Sequence, residues 1–144
     1  MTTDWRILSC FLLTMTIWPT TGRSAIVGKA SWYGQEACEH WKSKGRMDCP
    51  TASGEDLRNL EARGELFAAS YAYPLGTMLR VCRADHDHRG EAHQASSPNC
   101  VVVRVKDRGP ARRLGRVLDL SKLAFSQLAP LSLGLIRVEI EPLR

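Results

Sequence analysis

The residue best placed to do chemistry is Asp107, which follows the apolar run from Val101 to Val105. β-Branched residues favour a strand, and Gly109-Pro110 ends it, so the carboxylate lies where a strand turns into a loop. A carboxylate at such a junction can bind a ligand or transfer a proton. The alternative is a turn-initiating Asp whose oxygens accept backbone N–H groups. The pattern by itself leaves both interpretations open.

Glu55 is the second carboxylate of interest. It ends the segment TASGE at residues 51 to 55, where Gly54 is suited to a backbone conformation that most residues resist. Glu55 could therefore take part in a site close to a tight turn. The structural alternative is the first-turn acid of a short helix that Ser53 caps and that continues through Leu57.

Short strands must position these carboxylates. Alternating apolar residues predict strands over 25–33, 66–73, 77–83 and 101–105, one that begins over 116–118, and one over 136–141. Helical spacing predicts two short helices, one from residue 57 and one from residue 123. Asp119 or Ser121 caps the second helix, which favours a structural role for Asp119. The pattern indicates a small all-β domain.

The first 25 residues are predicted to be a secretory signal peptide. Residues 5–18 are apolar, follow Arg6 and are closed by Pro19. A membrane anchor is the alternative, but the apolar run is shorter than the ~20 residues that span a bilayer. Cleavage is expected between Gly22 and Ala25. Cys10 could be a lipid acceptor, since Leu8-Ser9-Cys10 resembles the end of a lipobox. A lipoprotein signal would be cut before Cys10, however, whereas most of the apolar run follows it, so Cys10 is assigned to the discarded segment.

The length and charge of the chain limit the number of domains and the kind of partner. The chain has 144 residues, 20 of them Lys or Arg and 15 Asp or Glu, with a net charge of +5. A chain of this length has room for one domain, over residues 26–144. Loss of Arg6, Arg23 and Asp4 with the signal leaves 18 basic and 14 acidic residues and a net charge of +4. A basic surface suits an anionic polymer. Export argues against nucleic acid as that polymer.

Four cysteines remain after signal removal, namely Cys38, Cys49, Cys82 and Cys100. In an exported chain they predict two disulfides. Spacing alone allows three pairings. Cys82 ends one predicted strand and Cys100 starts the next, which favours a bridge between them and a second bridge from Cys38 to Cys49.

Metal binding is the competing interpretation for these cysteines and for the histidine-rich segment that follows Cys82. The chain has no C-x-x-C pair or other compact ligand pair. His86, His88 and His93, with Asp85 and Asp87, could hold a metal, but the Gly, Ser and Pro residues around them favour a solvated loop. We therefore predict no metal site and no cofactor.

Six motifs in order resemble the RlpA (rare lipoprotein A) family, and the resemblance covers nearly all of residues 28–141. It implies a six-stranded double-psi β-barrel with one or two short helices. The family includes septal lytic transglycosylases that cut peptidoglycan. The motifs are GKASWYG at 28–34, TASGE at 51–55, YPLGTMLRV at 73–81, CVVVRVKDRGP at 100–110, RVLDLS at 116–121 and GLIRVEIE at 134–141.

The resemblance implies roles for single residues. Asp107 would be the catalytic acid, Glu55 would assist it by hydrogen bonding, and Arg108 would bind substrate. Trp32 and Tyr33 fall in a motif that lies near the active groove in the family. These aromatic residues would therefore stack on sugars, although the core is the commoner place for aromatic residues in a strand.

This sequence departs from the family at Ser70. Catalytic relatives have a His in an A-A-H segment, and the matching stretch here ends in Ser70. A hydroxyl can hydrogen-bond a substrate or Asp107, but it cannot shuttle protons near neutral pH as imidazole does. His40 could replace that group only if its loop lies over the groove.

Two functions from different classes follow from the resemblance. The first is a lytic transglycosylase that cleaves MurNAc-β-1,4-GlcNAc bonds to 1,6-anhydro products. The alternative is a non-catalytic, expansin-like barrel that binds glycans, and a weaker third option is a secreted structural or interaction domain. The expected partner is the glycan strand of peptidoglycan, with no nucleic acid and no membrane anchor after signal cleavage. We expect a monomer in the periplasm or outside the cell.

Overall fold

The computed structural model describes residues 25–84 and 99–143, and six strands of this part close into a barrel. Their order around the barrel is β1-β5-β2-β4-β3-β6. The predicted six-stranded barrel is confirmed. The strands are β1 (Ile26–Tyr33), β2 (Phe67–Ala69), β3 (Met78–Arg83), β4 (Cys100–Asp107), β5 (Leu118–Ser121) and β6 (Leu135–Pro142).

Strand pairing brings two aspartates to one end of the barrel. β2 lies between β4, to which it runs parallel, and β5, to which it runs antiparallel. Ala69 of β2 is in register with Asp107 of β4 on one side and with Asp119 of β5 on the other. Neighbouring strands are about 4.8 Å apart, so the two aspartate backbones lie roughly 10 Å apart. β1 runs parallel to β5 and antiparallel to β6, which closes the sheet.

Alternation along β4 and β6 fills the barrel. Val101, Val103 and Val105 are buried, whereas Val102 and Arg104 face solvent, as the sequence predicts. β6 repeats the pattern, with three buried β-branched residues that alternate with exposed residues. Each such side chain stabilises the fold by about 1.5–3 kcal/mol when it is fully buried. The interior is therefore a packed core.

A second, smaller apolar cluster lies outside the barrel. It comprises Cys38, Cys49, Leu57, Leu60 and Phe67. It supports the loop between β1 and β2, which contains two of the three short α-helices found in the described residues. The helices are α1 (Glu39–Lys42), α2 (Leu57–Ala62) and α3 (Lys122–Leu128).

The helix caps correct one prediction and decide another. Asp56, not Ser53, caps α2, because its carboxylate accepts a hydrogen bond from Arg58 N at 2.9 Å. Glu55 therefore precedes the helix. Ser121 caps α3, accepting from Ala124 N at 3.4 Å. Asp119 is left free of a capping role.

Strand ends differ from the sequence prediction at two places. The strand expected over residues 66–73 is only Phe67–Ala69, because the chain turns after Ser70. The Arg108 guanidinium holds that turn, donating to the carbonyls of Ser70 at 3.0 Å and Tyr73 at 2.8 Å. The strand expected from residue 116 begins at Leu118.

Both predicted disulfides are confirmed. Cys38 is bonded to Cys49, and Cys82 is bonded to Cys100. The second bridge joins residues that face each other in the β3–β4 register. Two disulfides are typical of a protein that works outside the cytoplasm.

Two predictions fall on other parts of the chain. The signal peptide and the histidine-rich segment at 85–93 lie outside the described residues. Within the described ranges, no helix is both long and apolar enough to cross a membrane.

Candidate active site

A pocket of about 270 Å³ lies where β1, β2 and β4 end, next to the first half of β5. Its polar and aromatic walls come from Asp107, Asp119, Tyr33, Arg108 and Trp41. We call it the Asp107 pocket. Four of these residues belong to the motifs that carry the family resemblance, and only Trp41 lies outside them.

Asp107 is half-buried at the end of β4. Its Oδ1 accepts hydrogen bonds from Ala52 N at 2.9 Å and from Arg108 N at 2.8 Å. The turn interpretation is correct to this extent. Both backbone donors bind the same oxygen, so the other oxygen of the carboxylate accepts no backbone hydrogen bond. Asp107 can therefore be a turn residue and a site residue together.

Asp119 is the second carboxylate of the pocket. Ser31 Oγ donates to its Oδ1 at 2.5 Å, and Arg116 Nη2 donates to its Oδ2 at 3.3 Å. Arg116 Nε also lies 3.1 Å from Oδ1 as part of the same ion pair. The side chain is only 13% exposed. These partners hold the Asp119 carboxylate in one orientation beside the pocket.

The Tyr33 phenol shares the pocket with both carboxylates. Its ring packs edge-on against Phe67, with centroids 5.9 Å apart, and its hydroxyl is buried without a well-formed hydrogen bond to any described residue. Burial, followed by the negative charges of Asp107 and Asp119, raises the pKa of the phenol well above its usual range. The hydroxyl therefore stays protonated and can donate to a carboxylate or to a bound sugar.

Gly109 keeps the floor of the pocket open. A Cβ at this position would lie 3.4 Å from Ala69 Cβ and 3.8 Å from Asp119 Oδ2. Any longer side chain would therefore occupy the space beside Asp119. Glycine at residue 109 leaves that space for a ligand.

Trp41 is a wall residue that the sequence did not assign to the site. It lies in the loop that the Cys38–Cys49 disulfide closes. The Lys44 ammonium and the Arg46 guanidinium lie 5.6 Å and 5.2 Å from its ring centroid. An aromatic residue inside a disulfide-bounded loop was the available signal.

Glu55 does not line the pocket. Its carboxylate forms an ion pair with Lys106 and another with Arg63 at 3.1 Å. It also accepts from Ser53 Oγ at 3.3 Å. The hydrogen bond from Lys106 is the largest cause that lowers the pKa of Glu55. The assisting role predicted for Glu55 remains a prediction, and its side chain points to cations outside the pocket.

Ser70 is adjacent to Asp107 through the backbone, since Ser70 N donates to the Asp107 carbonyl at 3.0 Å. Its side chain is fully buried. The hydroxyl accepts a hydrogen bond from Ala72 N at 3.1 Å, which stabilises the turn. Its predicted part in catalysis is still a prediction, and the observed contact is structural.

The remaining two predicted site residues lie in different places. Arg108 lines the pocket, although its guanidinium is bound to backbone carbonyls of the Ser70–Tyr73 turn. Trp32 packs against the barrel core, and its Nε1 donates to Leu131 O at 3.0 Å. Trp32 does not line the Asp107 pocket.

A metal-dependent site has no support in the part of the chain that the structure describes. None of its His, Cys, Asp and Glu side chains cluster in threes as a metal site requires. The two pocket carboxylates already have protein donors. The arrangement suits proton transfer and charge stabilisation by side chains.

A closed barrel of six strands with its polar site at one end defines a small double-psi β-barrel domain. Residues 25–140 match the family model described as lytic transglycolase, and the chain belongs to this double-psi β-barrel family.

Curated relatives agree with the resemblance to RlpA. A Nostoc protein named probable endolytic peptidoglycan transglycosylase RlpA is 36% identical over 121 residues, which are 84% of this chain and 26% of the relative. The Vibrio cholerae endolytic peptidoglycan transglycosylase RlpA is 30% identical over 114 residues, which are 79% of this chain and 34% of the relative. The chain thus spans about a quarter to a third of the length of these relatives.

Solved structures support the fold. An expansin from Clavibacter michiganensis, solved as a point mutant in complex with cellohexaose, superposes with a TM-score of 0.54 at 20% identity, covering 84% of this chain and 51% of that one. A Streptomyces papain inhibitor gives a TM-score of 0.51 at 21% identity, covering 84% and 96% of the two chains. At such identities the likeness concerns the barrel alone.

Proposed function

We propose that this domain is a peptidoglycan lytic transglycosylase, which cleaves MurNAc-β-1,4-GlcNAc bonds and leaves 1,6-anhydro products. One observation carries the proposal. The pocket holds Asp107 with one carboxylate oxygen clear of its backbone donors, next to a second carboxylate and a protonated phenol. The names of the curated relatives support the same reaction.

Asp107 supplies the proton in this mechanism. Its carboxylic acid protonates the glycosidic oxygen as the C1–O bond breaks, and an oxocarbenium-like centre forms at the muramic acid. The C6 hydroxyl of the same sugar attacks that centre. Asp107, now a carboxylate, takes the hydroxyl proton, so the acid is regenerated without water.

The other pocket residues stabilise the developing positive charge and position the sugar. The fixed Asp119 carboxylate places negative charge where the positive centre develops. The Tyr33 hydroxyl is a neutral donor for the sugar or for the Asp107 carboxylate. Trp41 lines the pocket, where its ring can contact a pyranose. Gly109 leaves room for the scissile bond beside Asp119.

The setting follows from the disulfides and the proposed substrate. Two disulfides persist in oxidising compartments, and peptidoglycan lies outside the cytoplasmic membrane. We therefore place the protein in the periplasm or outside the cell. The glycan strand is its partner, and the protein acts as a monomer.

A second candidate, a glycan-binding barrel that does not cleave, is favoured by the surroundings of Ser70. The buried hydroxyl supplies no proton shuttle. His40 lies next to the pocket rather than in its lining, with its ring 5.6 Å from that of Trp41. A pocket without imidazole can still bind sugar.

One experiment separates the two candidates. Purified protein is incubated with purified peptidoglycan, and mass spectrometry looks for anhydro-muropeptides while sedimentation measures binding. The lytic function predicts anhydro products from wild type and none from Asp107→Asn. Binding without anhydro products from either protein would favour the non-cleaving barrel. If the protein neither binds peptidoglycan nor yields anhydro products, both candidates are contradicted.

A further inference from the structure

A second pocket, of about 320 Å³, lies on the other side of Gly109 from the Asp107 pocket. Tyr71, Arg112, Arg116 and Pro110 form much of its wall, and we call it the Tyr71 pocket. Gly109 lines both pockets. An extended ligand that crosses Gly109 can therefore occupy both at once.

Tyr71 gives this pocket a flat aromatic wall. The side chain is 53% exposed, although a tyrosine gains stability from burial. It lies in the turn after β2 that the Arg108 guanidinium holds through the Ser70 and Tyr73 carbonyls. An exposed ring on a held turn is suited to stacking on a pyranose face.

Arg112 gives the pocket an available positive charge. The side chain is exposed, and among the described residues it has no ion pair or hydrogen bond. Arg116 forms another part of the wall while its guanidinium contacts Asp119. No acidic residue of the described ranges lines the pocket. Guanidinium groups bind carboxylates with paired hydrogen bonds, so the pocket favours an anionic ligand.

We propose that the Tyr71 pocket is a subsite for a sugar that carries a carboxylate. Tyr71 stacks on the ring, and Arg112 pairs with the carboxylate. The inference rests on the proposed function, because every second sugar of a peptidoglycan glycan strand carries a lactyl ether, whose carboxylate is free wherever no stem peptide is attached. Arg116 lines the Tyr71 pocket and its guanidinium contacts Asp119 of the Asp107 pocket, so an anion bound beside Arg116 lies next to the guanidinium that orients Asp119.

Binding can be measured without cleavage in the Asp107→Asn background. The probes are chitotetraose, which is neutral, and a tetrasaccharide of alternating GlcNAc and MurNAc, which differs from it by the lactyl groups. We expect Arg112→Gln to weaken binding of the MurNAc tetrasaccharide about tenfold in calorimetry, the effect of one charge-assisted hydrogen bond, and to leave chitotetraose unchanged. Tyr71→Ala should weaken both probes.

Arg113→Gln is the matched control. Arg113 is exposed, adjacent in sequence and absent from the pocket wall, so its loss removes the same net charge without removing a contact. Equal effects of Arg112→Gln and Arg113→Gln would overturn the inference. Failure of the Asp107→Asn protein to bind either probe would also overturn it. All variants are compared by thermal unfolding, since both targeted side chains are exposed and should not affect folding.

Failure of this inference and failure of the proposed function give different results. If wild type yields no anhydro product while the Asp107→Asn form still distinguishes MurNAc through Arg112, the subsite inference stands and the proposed lytic function fails. If the protein cleaves peptidoglycan but Arg112→Gln does not weaken binding of the MurNAc tetrasaccharide, the proposed function stands and the subsite inference fails.

Discussion

Strand β4 ends in two consecutive charged residues that belong to two different regions. Lys106 joins a cluster of opposite charges with Glu55 and Arg63 on the 51–55 turn and the end of α2. Asp107 joins a pocket with Asp119 and Tyr33. The alternation of a strand sends neighbouring side chains to opposite faces, so one residue step separates the two environments.

The two carboxylates differ in whether a ligand in the pocket can reach them. Glu55 is neutralised by fixed cations, which lowers its pKa and makes it a poor proton donor near neutral pH. Asp107 is held by two backbone N–H groups, and no cation of the described residues pairs with it. The sequence shows two comparable carboxylates, whereas the structure gives one to a charge cluster and one to a pocket.

The largest expected effect is the contrast between Asp107→Asn and Glu55→Gln. Loss of the general acid should reduce the rate of anhydro-product formation by roughly 10² to 10⁴. Glu55→Gln should change it less than about threefold, because that side chain lies outside the pocket. Rates come from quantified anhydro-muropeptides. The reverse ranking would show that the two regions have exchanged roles.

Asp119→Asn tests whether the second pocket carboxylate contributes charge. The amide keeps the size and can still accept from Ser31, but it has no charge to offer the developing cation. We expect a rate loss on the order of tenfold to a hundredfold, because the developing positive centre loses electrostatic stabilisation. Binding of the tetrasaccharide should be nearly unchanged. A normal rate would leave Asp119 as a purely structural partner of Arg116.

Removing each disulfide in turn distinguishes an effect on stability from an effect on the geometry of the site. In the chain-entropy model each bridge, with sequence separations of 11 and 18, is worth about 3 kcal/mol of unfolding free energy. Replacing either pair by alanine should lower the denaturant midpoint to a similar extent. Only the Cys38–Cys49 pair closes the loop of Trp41, so only its removal should also reduce the cleavage rate, by about tenfold.

Equal rate losses from both cysteine variants, measured below their unfolding transitions, would mean that Trp41 does not depend on its own bridge.

Ser70→Ala tests the role predicted for the residue at the family histidine position. It removes the hydrogen bond from Ala72 N and should lower the unfolding free energy by about 0.5–1.5 kcal/mol. The cleavage rate should stay the same, because the hydroxyl is buried in the turn. A rate loss with unchanged stability would instead support the catalytic role predicted from the resemblance.

The smallest effect concerns pH and Glu55. Its pKa is lowered in the folded state, so its stabilisation is fully present above the ordinary value of 4.5 and is lost as the pH falls through the lower, folded value. The side chain is 37% exposed, which limits the contribution to under about 1 kcal/mol. Denaturant unfolding should show a difference between wild type and Glu55→Gln at pH 7 that shrinks toward pH 3.

Features that depend on local pattern could be predicted from the sequence. The alternation in β4 and β6 identified the buried faces, because the core selects side chains with the period of a strand. Cysteines at the facing ends of β3 and β4 predicted the second bridge, since an antiparallel pair puts them side by side. The junction after Val105 marked Asp107 because a strand must end at Gly109-Pro110.

The partners of those residues were decided by the tertiary structure. Asp119 reaches the pocket only because β2 pairs with β4 and β5 and places Ala69 opposite both aspartates. Lys106 pairs with Glu55 because the 51–55 turn packs against the end of β4. Ser70 is buried because the Arg108 guanidinium holds the turn after β2. Contacts between strands that are far apart in sequence depend on register, and a shift of one residue would send every side chain to the opposite face. Sequence patterning specified which residues the barrel buries, and only the closed sheet specified which carboxylates share a pocket.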